Sequence, residues 1–142
     1  MNNGVAVHYG ECSEDGPFSF LARVCSLSGT GSEVVQGEGP VILAADVSTV
    51  TCKVYDLGTE RDADTGTEIT PAPTLTSANV FALRTAGWVE QPPNGYNFRH
   101  DVAAAYLADP GEWRLFEYEI TLTDGALICL ELRVKTRARI RS

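Results

Sequence analysis

Apolar and polar residues alternate most regularly near the C-terminal end of the chain. Over residues 112–123, Phe116, Tyr118, Ile120 and Leu122 fall on one side and Glu117, Glu119 and Thr121 on the other. Over residues 126–136, Ile128, Leu130, Leu132 and Val134 alternate with Glu131, Arg133 and Lys135. A period of two places each set on one face of a strand. Asp124–Gly125 between them is a favoured tight turn. The pattern predicts an antiparallel hairpin with one face on a core and the other in water. Cross-strand pairs from Glu117 or Glu119 to Arg133 or Lys135 are expected, each worth at most about 1 kcal/mol.

Earlier segments follow the same logic. Residues 47–57 are rich in β-branched side chains, and Val50, Cys52 and Val54 alternate with Thr51, Lys53 and Tyr55, which predicts a strand. Residues 18–26 predict a first strand with Phe18, Phe20, Ala22 and Val24 on one face. Residues 27–40 hold four glycines and read as a loop or irregular hairpin. Residues 59–66 read as a solvated loop, and residues 67–75, broken by Pro71 and Pro73, as an edge strand. Ser77 is placed to cap a short helix running to Arg84, with Gly87 as its stop. Asn94–Gly95 is placed to turn a hairpin that pairs residues 88–90 with residues 96–102. Residues 103–107 read as a brief turn or helix, and residues 109–111 as a turn. Residues 1–17 are polar and contain glycine, which predicts an arm outside the core.

About seven short strands with frequent turns and one short helix predict an all-β fold, an immunoglobulin-like antiparallel β-sandwich with extended terminal arms. A small β-barrel is the competing architecture. The expected organisation is an N-terminal arm over residues 1–17, a sandwich domain over residues 18–136 and a basic tail over residues 137–142.

Charge sharpens this picture. All 19 acidic residues lie between Glu11 and Glu131, and five of the 11 basic residues fall in the last ten positions: Arg133, Lys135, Arg137, Arg139 and Arg141. With only six basic residues before position 133, residues 1–132 carry −13 and residues 133–142 carry +5, within a net charge of −8. An acidic body argues against nucleic acid as a partner, because phosphate affinity comes mainly from Lys and Arg. No apolar run approaches the roughly 20 residues of a membrane span. The N-terminal residues lack the basic start and apolar stretch of a signal peptide, so synthesis and retention in a reducing cytoplasm is the expectation.

Candidate chemistry is sparse. Cys12, Cys25, Cys52 and Cys129 form no CxxC pair, and the last three lie in apolar strand-like runs as small hydrophobes. His8 and Cys12 have a ligand-like spacing without a second pair to complete a metal set. Glu60, Asp62 and Asp64 alternate as in a calcium loop, but Thr65 and Pro71 stand where an EF-hand needs Gly and Glu. His100–Asp101 brings a base beside a carboxylate, yet strand neighbours point to opposite faces. Glu117 and Glu119, about 7 Å apart by strand rise, have the spacing of a hydrolase carboxylate pair, which is also what any solvated sheet face shows. No cofactor, metal or catalytic residue is assigned. Trp88, Tyr96, Phe98 and Trp113 are either core and interface anchors or an exposed sugar-binding platform. The dense basic end suits a docking arm for an acidic surface. The expected interface residues are therefore Arg133, Lys135, Arg137, Arg139, Arg141, Trp88, Tyr96 and Trp113.

The stretch ADVSTVTCKVYDL at residues 45–57, the stretch NGYNFRHDV at residues 94–102 and the closing hairpin resemble small immunoglobulin-like virion proteins of tailed phages and prophages. The resemblance covers about residues 18–136, and its motifs are structural. It implies a non-enzymatic subunit of a capsid, neck or tail, with other virion subunits and further copies of itself as partners. Capsid decoration or cement is favoured over a tail or baseplate position. A carbohydrate- or surface-binding module is the alternative, and a small hydrolase using Glu117 or Glu119 a third.

Overall fold

The computed structural model describes residues 5–14, 16, 18–22, 24, 26–27, 31–32, 44–76, 81–84 and 96–138. Its strands, in chain order, are β1 (Val5–Ser13), β2 (Phe18–Ala22), β3 (Ser26–Leu27), β4 (Gly31–Ser32), β5 (Val47–Gly58), β6 (Thr67–Ile69), β7 (Phe81–Arg84), β8 (Tyr96–Val102), β9 (Trp113–Leu122) and β10 (Leu127–Arg137). Two sheets form the sandwich, one of five strands in the order β1-β10-β9-β5-β6 and one of three in the order β2-β8-β7. β3 and β4 make a small separate ladder.

The hairpin of β9 and β10 forms where the alternation requires. Phe116, Tyr118, Ile120, Ile128, Leu130 and Val134 are fully buried. Gly125 closes the turn at φ +92°, a left-handed conformation that a Cβ would strain. Val50, Cys52 and Val54 of β5 join the same core. From the opposing sheet, Phe20 and Phe98 meet the Tyr118 ring at centroid distances of 5.6 and 5.2 Å. Such aromatic contacts lock the two layers in one lateral register. β6 closes one edge of the larger sheet, as expected, but it is shorter than residues 67–75 and ends at Ile69, before Pro71 and Pro73.

Several expectations are corrected. Residues 5–13 are no arm: they form β1, which runs parallel to β10 from Val5↔Cys129 to Ser13↔Arg137. The larger sheet is therefore mixed rather than purely antiparallel. Cys12 is buried and hydrogen-bonded to Thr136, while Val7 and Tyr9 face outward. Gly10 hid the pattern, because a Cβ there would sit 3.2 Å from the Phe18 ring. Residues 81–84 form strand β7, not the end of a helix, because Phe81 and Arg84 pair with Phe98 and Tyr96. Residues 77–80 and the expected partner strand at 88–90 lie outside the described residues. Helical turns among the described residues are the 3-10 turns Ala44–Asp46 and Ala104–Leu107. The basic tail begins later than its composition suggests. Arg137 ends β10, and its carbonyl accepts the Glu14 amide at 2.8 Å.

Candidate interaction face

Ladder registry arranges the outward side chains of the five-stranded sheet in rows. One row runs Glu11–Lys135–Trp113, the next Tyr9–Arg133–Leu115–Tyr55–Glu68, and the third Val7–Glu131–Glu117–Lys53. The predicted pairing of Glu117 or Glu119 with Arg133 or Lys135 is not made. Glu117 stands opposite Glu131, and Glu119 opposite Cys129. Burial, then repulsion from Glu131 and Glu119, pushes the Glu117 carboxyl up, and Lys53 only partly offsets this.

Residues 59–66 are a solvent-exposed loop, as expected, and are also clasped onto this face. Arg133 donates to the Arg61 carbonyl at 2.7 Å and the Ala63 carbonyl at 3.1 Å, and its side chain is only 13% exposed. Tyr9 donates to Asp62 at 3.2 Å, and the Arg61 guanidinium lies 4.9 Å from the Tyr9 ring centroid. Bonds from Arg61 and, more weakly, Tyr9 hold the Asp62 carboxyl below its usual range. The loop returns to the sheet at Gly66, where a Cβ would lie 2.6 Å from the Asp56 carbonyl oxygen. Between the returning segment and the sheet is an open groove of about 300 Å³, lined by Tyr55, Leu57, Asp64, Thr65, Leu115 and Glu117.

Of the expected interface residues, the face brings together Trp113, Arg133 and Lys135. Arg133 is occupied as the staple for the loop. Arg137 lies at the strand end, 4.0 Å from the Glu11 carboxylate. Tyr96 opens β8 in the other sheet, so it and Trp113 share no sheet face. Phe98 is fully buried and belongs to the core. Trp88, Arg139 and Arg141 lie outside the described residues. Tyr9, Leu57 and Gly66 went unnoticed in the sequence. Leu57 sits within the register shift between Asp56 and Gly58, which the period-two pattern does not reveal.

Among the described residues, buried polar groups gather around His100 and around Arg114. His100 is buried, with Nδ1 and the Tyr118 hydroxyl sharing a hydrogen bond of 2.6 Å across the two sheets. Burial pushes His100 down to about 4, against a weaker upward pull from Asp101. Asp101 itself faces out and accepts from Ser19 and Arg99. The adjacent base and carboxylate thus occupy opposite faces, as strand geometry predicts. Desolvation also pushes the Cys52 thiol up to about 12. Cys12, Cys52 and Cys129 are free thiols, and Cys25 lies outside the described residues. Arg114 is buried at one end of the sandwich and donates to Asp56 at 3.0 Å, to Glu112 at 3.1 Å and to Asp109. These bonds tie the turn before β9 to β5. Among the described residues, no three metal-ligating side chains converge.

Comparison with protein-family models gives no match, and comparison with curated proteins gives no match.

Proposed function

We propose that the chain is a non-enzymatic structural subunit of a tailed-phage particle, of the capsid decoration or cement kind or associated with the tail or neck. It joins other virion subunits and copies of itself through the outer face of the five-stranded sheet and the basic C-terminal end. The particle assignment comes from the resemblance of residues 18–136. The observation that supports docking is the outer face, where Trp113 and Lys135 stand opposite each other beside a groove with apolar and acidic walls. A mixture of aromatic, aliphatic and charged groups on one open surface suits a protein interface. The polar groups in the interior serve the fold instead: His100 bridges the sheets, and Arg114 holds three carboxylates together. Co-sedimentation tests the reading. Epitope-tagged chain produced during phage assembly is expected to band with intact particles in a density gradient. A chain that remains wholly at the top of the gradient would refute it.

A further inference from the structure

We propose that the groove between residues 64–66 and the sheet seats the C-terminal arginines, Arg139 and Arg141, of a second copy of this chain. The inference rests on the assembly role above and gives it a specific contact. Tyr55, Leu57 and Leu115 offer apolar walls, while Asp64 and Glu117 supply carboxylates. Arginine fits such a mixture. Its aliphatic stem covers apolar surface, its planar guanidinium stacks on an aromatic ring, and its fork of donors matches a carboxylate.

The electrostatics of the groove favour a cation from outside. Glu117 is faced by Glu131 on β10, flanked by Glu119 on its own strand and approached by Lys53 on β5. Among the described residues its carboxylate has no ion pair within 4.0 Å, and Arg133, the nearest guanidinium in the neighbouring row, is spent on Glu131 and the loop carbonyls. An arriving guanidinium offsets, by its positive charge and hydrogen bonds, the upward pull of desolvation and repulsion on the Glu117 carboxyl. The chain carries a matching cation: Arg139 and Arg141 belong to a terminus of charge opposite to the acidic body.

Strand geometry favours a second copy over the chain's own tail at the Glu117 end of the groove. Glu117 is registered with Glu131, six residues before Arg137, or about 20 Å back along β10. Arg141 lies four residues beyond Arg137, so a fully extended tail carries its Cα at most about 14 Å; the side chain extends that reach, and the residues needed to reverse direction keep it short of Glu117. Groove and tail at separate places on one molecule make a head-to-tail contact, which builds rings or filaments.

Sedimentation of full-length chains tests this. The wild-type chain is expected to self-associate and to dissociate as salt rises. Glu117→Gln and the double variant Arg139→Gln/Arg141→Gln are each expected to weaken association by about tenfold or more. An equimolar mixture of the two variants restores one intact groove and one intact tail, and is expected to form a heterodimer. A wild-type chain that stays monomeric at millimolar concentration, variants that associate like wild type, or a mixture that stays monomeric would overturn the proposal. Particles that carry a chain unable to self-associate would remove the groove contact but leave the particle role. Self-association through the groove with no chain in particles would do the reverse.

Discussion

Acidification from pH 7 to pH 4 is expected to weaken the fold specifically through His100. The side chain is only 6% exposed and is packed near the rings of Phe116 and Tyr118. Its folded value of about 4 lies well below the 6.5 of the unfolded chain. Well above pH 6.5 both states hold a neutral imidazole, and the full stability is present. Between 6.5 and about 4 the unfolded chain takes up a proton that the folded chain refuses, so stability falls as pH falls. The difference of the two values corresponds to about 3 kcal/mol, a large share of a typical domain stability of roughly 5–15 kcal/mol. Carboxylates contribute to acid sensitivity as well. Asp101, for example, is held below its usual range by Ser19 and Arg99. Comparison with His100→Gln cancels those contributions, because glutamine retains a polar partner for Tyr118 and does not titrate. Urea unfolding of both proteins at pH 7, 6, 5 and 4, followed by circular dichroism, measures the difference. The wild type is expected to lose about 3 kcal/mol relative to the variant across this range. Parallel stability curves would refute the argument that the histidine is buried in its neutral form.

Three further outcomes follow from the geometry. Tyr118→Phe leaves His100 Nδ1 without its cross-sheet partner and is expected to cost about 1–3 kcal/mol in urea unfolding at pH 7. Gly66→Ala forces a methyl against the Asp56 carbonyl and Leu57. It is expected to destabilise by about 1–3 kcal/mol, with shifts of the Leu57 and Leu115 methyl resonances as the local readout. Arg133→Ala removes both bonds to the loop carbonyls, so amide exchange at residues 61–66 is expected to accelerate about tenfold while the amides of β9 exchange as before.

The sandwich was legible wherever one face of a strand is buried and the other wet. β5, β9 and β10 show this, because a one-residue slip would turn every apolar side chain into water. β1 was not legible, since its inward set is His8, Gly10 and Cys12, which no hydrophobic pattern reveals. Phe18 filling the space beside Gly10 and the parallel pairing to β10 are both tertiary facts. β7 went unread for a related reason: four residues between punctuating glycines and prolines read equally well as a helix end, and only pairing with β8 decides. At the candidate site, Trp113, Arg133 and Lys135 were visible by type and strand face. Which of them is spent inside the molecule was not, because that depends on where residues 59–66 fold back. In sequence the acidic loop alternates like a calcium loop without completing one. In space, Asp62 is engaged by Arg61 and Tyr9, and Asp64 turns to the groove.

The central claim is that this chain is built into a particle by its outer face and its basic end. Quantitative mass spectrometry of purified particles tests it most directly, comparing the full chain with a form lacking residues 139–142. That cut spares the Arg137 carbonyl, which binds the Glu14 amide, and so leaves the described fold untouched. The account predicts the full chain at a fixed ratio to the major particle protein, and the shortened chain folded but depleted from particles. Equal loading of the two forms, or absence of the full chain from particles, would contradict it.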